Sequence, residues 1–134
     1  MPFYGWFIKR MTGVKVDRQG GASALKNLIR QTKSILHKGH NIVIFPQGTR
    51  IPFGANVAQY PYQVGIAALY LACDVPVVPV ALNSGALWSK SMLIKKSGTI
   101  TLEFLEPIQP RLKKNEFMEE LESKIEAASA RLEK

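Results

Sequence analysis

An arginine that follows an apolar segment and a glycine is the first feature of this sequence with chemical potential. In NIVIFPQGTRIPFG, residues 41–54, four β-prone residues lead through a proline and Gly48 to Thr49 and Arg50. A guanidinium fork, a hydroxyl and backbone N–H groups can together hold a phosphate. Arg18 follows VKVD in a similar way. The pattern predicts an anion site, and the alternative is that each arginine is an ordinary surface charge.

The elements that position these arginines follow from the spacing of apolar residues. Gly39 is expected to end the first helix, and Asn115 is expected to cap the last. Residues 42–45 are continuously apolar, which is typical of a strand buried on both faces of a parallel sheet. The expected strands are 14–16, 42–45, 75–82 and 99–105, and the expected helices are 23–38, 64–73 and 115–134.

This alternation of strands and helices predicts the fold class. It indicates a single α/β domain over residues 1–134, with a largely parallel β-sheet flanked by helices. Ligands of such sheets bind at the carboxyl ends of the strands. Arg18 and Arg50 are therefore expected at the same edge of the sheet. The phosphate-binding motif GxxxxGK[ST] is absent, so a nucleotide P-loop is excluded.

The composition restricts the partners. Eighteen Lys and Arg against ten Asp and Glu give a net charge of +8, which favours phosphorylated ligands, acidic lipid surfaces or nucleic acid. The single cysteine, Cys73, excludes an intrachain disulfide and is expected to be a small buried residue in an apolar helix. No signal peptide or membrane-spanning segment is predicted, so contact with a membrane would be peripheral.

Two aromatic and basic segments suit such a peripheral contact. Residues 2–11 interleave four aromatic rings with Lys9 and Arg10, and Trp88 precedes three lysines. Aromatic rings beside cations are common at a membrane interface. Packing of the first segment on the sheet, and ordinary surface charge for the second, are the alternatives.

Four blocks in order resemble the glycerolipid acyltransferase family. They are GVKVDR at 13–18, IVIFPQGTR at 42–50, YPYQVGIAALYL at 60–71 and VPVVPVALNSG at 75–85. The resemblance covers nearly the whole chain, and within the family it is strongest to the bacterial enzymes that acylate lysophosphatidate. It implies a glycerol-3-phosphate acyltransferase-like α/β fold.

The resemblance implies an activity and its site. An acyl group would pass from acyl-carrier protein or acyl-CoA to lysophosphatidate, giving phosphatidate, with no metal or other cofactor. The acceptor phosphate would be held by Arg18, Gly48, Thr49 and Arg50, and Gln47 would orient the acceptor. The acyl region would be supported by Val77, Val78 and Val80, which a buried strand would equally explain. The protein would be associated with a membrane, at the cytoplasmic face of the bacterial inner membrane.

The chain departs from the family at its catalytic pair. The family uses a histidine as general base and an aspartate five residues later to orient it, the HxxxxD pair. Here His37 and His40 are followed at that spacing by Ile42 and Phe45. Both histidines are expected near a helix C-terminus, where positive charge is favourable. The pair would lie upstream of Met1, so the chain is interpreted as an N-terminally shortened copy without catalytic residues of its own.

The other departures and the rival functions concern binding. Gln47 stands where the family has an acidic residue, and Gln63 stands where a basic residue is common. A non-catalytic chain that binds lipid phosphate or a partner chain is one alternative. A basic nucleic-acid-binding domain is a weaker one, because no RNP-like motif, zinc signature or basic helix with heptads is present.

Overall fold

The computed structural model describes residues 21–52, 54–88 and 96–133. The chain divides into two compact units, residues 1–43 and residues 44–134. Among the described residues, no helix is both long and apolar enough to cross a bilayer. The predicted strand at 14–16 and the side chain of Arg18 lie outside the described residues.

The first unit contains helix α1, Gly21–His37. Its apolar residues recur at three-and-four spacing, and Thr32 on the same stripe is buried. Gly39 adopts a left-handed backbone with φ of 78°, and its N–H donates to the Leu36 carbonyl at 2.9 Å. The predicted helix and its glycine stop are therefore confirmed, since this geometry pairs carbonyls of the last turn.

The predicted strand at residues 42–45 is wrong for the described part of the chain. These residues have no regular secondary structure, and the side chains of Val43 and Phe45 are 83% and 73% exposed. A strand forms only where a neighbouring strand accepts and donates its backbone hydrogen bonds. No strand among the described residues pairs with residues 42–45, so their apolar sequence is not sufficient to form a strand.

The sheet of the second unit is antiparallel. Strands β1, Val80–Leu82, and β2, Leu102–Phe104, pair so that Ala81 lies opposite Glu103. An isolated antiparallel bridge between Val77 and Ile108 extends the pairing. Pro79 lacks an N–H but its carbonyl still accepts from Leu105 at 2.9 Å. The predicted strands at 75–82 and 99–105 are thus shortened, and the expected largely parallel sheet is not found in the described residues.

The core of the second unit lies between two helices, α2, Gly65–Cys73, and α4, Lys114–Leu132. The rings of Tyr70 and Phe117 stack with centroids 3.8 Å apart. The Tyr70 hydroxyl donates to the Gln109 carbonyl at 2.5 Å and accepts from the Leu112 N–H at 3.0 Å. A buried aromatic pair with a satisfied hydroxyl therefore joins the two helices.

Helix α4 begins one residue before the expected cap. Lys113 occupies the N-cap, and Glu116 accepts a hydrogen bond from the Lys113 N–H at 3.0 Å. The prediction of Asn115 as cap is wrong, because the helix begins earlier and the Glu116 side chain in its first turn already accepts from the N-cap N–H.

Cys73 is half-buried at the end of α2. Its predicted place in an apolar helix is therefore confirmed, but its predicted burial is not complete.

The two faces of the antiparallel sheet differ. Ala81 is fully buried on the face toward α4, and Arg131 of α4 pairs with Glu103 at 2.5 Å. The opposite face carries apolar side chains that are largely exposed, including Val78, Leu82, Leu102 and Phe104. A short helix, α3, Ser84–Leu87, follows β1.

Candidate functional site

The candidate site is a loop that begins at Phe45. Gly48 adopts a left-handed backbone with φ of 67°, and its N–H donates to the Phe45 carbonyl at 3.0 Å. Glycine adopts this conformation without the steric cost that a Cβ would add. The Pro46 carbonyl accepts from the Gln63 N–H at 2.9 Å, which anchors the turn to the residues before α2. The turn therefore has a defined backbone.

Gln47 has a structural partner within this loop. Its side chain is half-buried, and its Nε2 donates to the Tyr60 carbonyl at 3.2 Å. The amide thus ties the turn to the loop 13 residues further along the chain. The carboxylate that the family places here could not donate this bond, because an ionised carboxylate only accepts. The role of Gln47 in orienting an acceptor remains a prediction.

Thr49 and Arg50 lie at the exposed end of the turn. Among the described residues, no hydrogen bond or ion pair occupies the Arg50 guanidinium. Five N–H donors in a planar fork are therefore available to an anion from solution. Arg18 lies outside the described residues, so the shared edge predicted for Arg18 and Arg50 stays a prediction.

An open pocket of about 550 Å³ lies in the loop after Arg50. It is lined by Pro52, Gly54, Ala55, Gln59 and Tyr60. Two turns shape this wall, since the Ala55 N–H donates to the Pro52 carbonyl at 3.1 Å and the Gln59 N–H donates to the Asn56 side chain at 3.1 Å. Tyr60 connects the pocket to Gln47 through its carbonyl.

The three valines predicted to support the acyl region do not share one surface. Val77 packs against the buried core and bridges to Ile108. Val78 is 47% exposed, and Val80 is half-buried in β1. Alternation along an extended chain explains the difference, because successive side chains point to opposite faces. Val78 and Val80 lie on the outer face, and Val77 belongs to the core.

Both histidines lie at the end of α1, as predicted. His37 is the last residue of the helix and His40 follows the Gly39 turn, and both are exposed. Neither makes a hydrogen bond to a carboxylate among the described residues. Among the residues that the structure describes, neither imidazole therefore has the orienting carboxylate that the resemblance implies for the general base.

Two further polar contacts were not predicted. Asn83 donates to the Thr99 and Leu132 carbonyls, both at 3.3 Å, and accepts from the Thr101 N–H at 2.8 Å. The Tyr62 hydroxyl donates to Glu126 at 2.8 Å. Burial, together with this carboxylate, raises the pKa of Tyr62 well above its usual range. The sequence offers a signal for Asn83, which lies in LNSG at the end of the block VPVVPVALNSG. Nothing in the sequence indicates the pairing of Tyr62 with Glu126.

Known proteins similar to this chain share one activity in their names. The 1-acyl-sn-glycerol-3-phosphate acyltransferase of Pseudomonas aeruginosa is 38% identical over 100 residues, which cover 75% of this chain and 38% of that protein. Those of Cocos nucifera and Saccharomyces cerevisiae are each 26% identical over 109 residues, 81% of this chain and 34% and 36% of theirs. The chain thus spans little more than a third of the length of these relatives. No solved structure matches it.

The match to a protein family covers much more of the chain than the candidate loop. A family model described as Acyltransferase matches residues 1–83, which is more than half of the chain. This range contains the Gly48 turn, Arg50 and the pocket that follows it. The chain therefore belongs to the acyltransferase family.

Proposed function

We propose that this chain binds lysophosphatidate through the turn at Gly48, Thr49 and Arg50, as part of an acyltransferase that produces phosphatidate. The observation that carries the proposal is the Arg50 guanidinium, exposed and without a protein partner among the described residues, at the end of a turn with a fixed backbone. Arg18 is proposed as the second cation. Relatives named for this acceptor support the choice of ligand.

The proposed reaction sets a chemical requirement that this chain does not meet by itself. The acceptor hydroxyl attacks the thioester carbonyl of acyl-CoA or acyl-carrier protein, the C–S bond breaks, and the hydroxyl proton is transferred to the departing thiolate. A positioned base contributes about 100- to 10,000-fold to such a step. Because His37 and His40 lack a carboxylate five residues later, we propose that the chain binds the acceptor without turning it over.

Two finer features belong to the same proposal. In longer members of the family, the segment that corresponds to residues 42–45 is proposed to join a largely parallel sheet. The reason is that residues 42–45 have the sequence of a buried strand. The protein is proposed to act at a membrane surface, the cytoplasmic face of the bacterial inner membrane, because its acceptor and product are membrane lipids. Amide exchange at residues 42–45 tests the first feature, with slow exchange expected in the Pseudomonas relative and fast exchange in this chain.

The binding test uses Arg50. Arg50→Ala should weaken the binding of a monomeric short-chain lysophosphatidate by about 1.5–3 kcal/mol, the usual contribution of a hydrogen bond to a charged group. Arg50→Lys should restore only part of the affinity, because an ammonium lacks the planar fork. Titration calorimetry on folded protein measures both, and Lys114→Ala, at an exposed cation of α4, is the control. Equal affinity in all four proteins would reject the assignment.

The turnover test uses thiol release from acyl-CoA and from acyl-carrier protein. We expect no product from the 134-residue chain, while the longer Pseudomonas relative serves as the positive control. Activity in this chain that His37→Ala or His40→Ala abolished would show that a histidine of this chain is the base. Binding without turnover is the expected combination. A chain that neither bound lysophosphatidate nor turned it over would contradict the proposed function.

A further inference from the structure

Helix α1 presents a continuous basic face. Lys26, Arg30, Lys33 and His37 are spaced by four, three and four residues and are all exposed. At 100° per residue these positions fall within about 60° of one another around the helix. They extend over 11 residues, or roughly 16 Å along the axis. We refer to these four residues as the basic face.

The basic face has no acidic neighbour in sequence. No Asp or Glu occurs from Arg18 to Cys73, whereas residues 102–134 contain eight acidic and six basic residues. A helix face that serves only solubility usually mixes both signs of charge. The net positive charge of the chain is therefore concentrated outside its C-terminal part.

The basic face also lacks ion pairs among the described residues. The contact that the structure gives it is a hydrogen bond from the Arg30 guanidinium to the Asn27 side chain at 2.9 Å. In α4, by contrast, Lys124 pairs with Glu120 at 2.9 Å and Arg131 pairs with Glu103 at 2.5 Å. Two of the three cations of α4 are therefore paired within the protein, and those of α1 remain available to an external anion.

The basic face is separate from the residues that pack α1. The apolar stripe includes Leu28, Thr32 and Ile35, which lie about 170–230° around the helix from the centre of the basic face. None of these three side chains is exposed, and Thr32 is buried. Removal of the basic side chains should therefore leave the packing of α1 intact.

We propose that the basic face of α1 docks the protein on anionic lipid bilayers. An extended row of exposed basic side chains without internal counter-charges complements a negatively charged lipid surface, where each Lys or Arg contributes about fivefold to affinity. The choice of a bilayer over nucleic acid rests on the proposed function, because an acceptor and a product that are lipids require contact with a membrane.

Vesicle binding tests the proposal with the 134-residue chain. The probes are vesicles of phosphatidylcholine alone and vesicles with about 30% phosphatidylglycerol. The test variant is Lys26→Gln, Arg30→Gln, Lys33→Gln. The control is Arg111→Gln, Lys113→Gln, Lys114→Gln, which removes the same charge from exposed positions at the start of α4. Circular dichroism checks that both variants keep their helices.

We expect binding to the anionic vesicles that falls with added salt, with little binding to phosphatidylcholine alone. The α1 variant should lose roughly 100-fold in affinity for the anionic vesicles, and the control less than about threefold. Equal losses in the two variants would mean that net charge alone drives binding, and would overturn the proposal. Absence of a preference for anionic vesicles would overturn it as well.

Two further measurements separate this proposal from its rivals. Tighter binding of a single-stranded RNA than of anionic vesicles, lost in the α1 variant, would identify a nucleic-acid face and overturn the lipid assignment. Calorimetry with monomeric lysophosphatidate should be unchanged in the α1 variant. Arg50→Ala, conversely, should weaken lysophosphatidate binding and leave vesicle binding nearly intact, so failure of one proposal is distinguishable from failure of the other.

Discussion

At the scale of single residues, the candidate loop combines one side chain that bonds within the protein with one that has no protein partner among the described residues. Gln47 donates to the Tyr60 carbonyl and fixes the turn, while Arg50, three residues later, is exposed. The neutral amide is suited to this contact because it supplies N–H donors that a carboxylate lacks. The departure from the family at Gln47 therefore has a structural role in this chain.

The first prediction is that Gln47→Glu destabilises the fold. The new carboxylate would lose the hydrogen bond and face the Tyr60 carbonyl oxygen, and we expect a loss of about 1–3 kcal/mol in the free energy of unfolding. Urea denaturation at neutral pH measures it. Gln63→Glu is the matched control, because Gln63 is exposed and its amide lies 3.5 Å from the Pro61 carbonyl. Similar losses in both variants would show that charge, rather than the Gln47 contact, is responsible.

At the scale of elements, the second unit is held by helix packing rather than by its sheet. Each strand is three residues long, and the stacked pair of Tyr70 and Phe117 joins α2 to α4. Two-stranded sheets of this length are marginal by themselves and need a packed face. Here α4 supplies that face through the buried Ala81 and the pair of Glu103 with Arg131.

The second prediction compares two phenylalanines. Phe117 is fully buried and Phe104 is 73% exposed. Phe117→Ala should lower the free energy of unfolding by about 3–5 kcal/mol, because it removes a core ring and leaves a cavity. Phe104→Ala should change it by less than about 0.5 kcal/mol. Urea denaturation of the two variants decides, and a large loss at Phe104 would mean that the outer face of the sheet is covered in solution.

At the scale of the whole molecule, charge and burial are distributed unevenly along the chain. The acid-free stretch from Arg18 to Cys73 includes α1 and the candidate loop, and the acidic residues are concentrated in and around α4. One of them, Glu126, holds the buried Tyr62 hydroxyl at 2.8 Å. At least one acidic residue thus stabilises the fold, and the acid-free stretch is the part to which we assign the proposed anionic partners.

The third prediction concerns the pH dependence of stability. The pKa of Tyr62 is raised above its ordinary value of 10.0 by burial and then by Glu126. The folded state therefore retains this proton when the unfolded chain has lost it, so the stabilisation is complete below pH 10 and falls as the pH rises further. Free energies of unfolding at about pH 9 and about pH 11 should show a decline that Tyr62→Phe reduces.

The same variant has a second expected effect. At neutral pH, Tyr62→Phe should cost about 1.5–3 kcal/mol, because it removes a hydrogen bond to a carboxylate. Tyr60→Phe is the control for a tyrosine that does not contact Glu126, and this variant should keep the decline in stability that Tyr62 causes. If the free energy of unfolding of Tyr62→Phe declined as much as that of the original protein, other groups would be responsible for the loss of stability at alkaline pH.

The sequence by itself determined the helices and the family. Helices α1, α2 and α4 begin or end within a few residues of their predicted limits, because the hydrogen bonds of a helix join residues four apart and its stops are set by neighbours such as Gly39. The family was evident from short blocks, since a motif such as IVIFPQGTR keeps its residues at fixed spacing.

Only the tertiary structure decided the strands and the contacts of the site. Residues 42–45 have the sequence of a strand but no pairing partner among the described residues, and the direction of pairing between β1 and β2 depends on segments about twenty residues apart. The contact of Gln47 with Tyr60 and the division of Val77 from Val78 arise in the same way. Strand pairing and side-chain contacts depend on residues that are distant in sequence, so a local pattern can predict that a segment is able to pair but not which partner it finds.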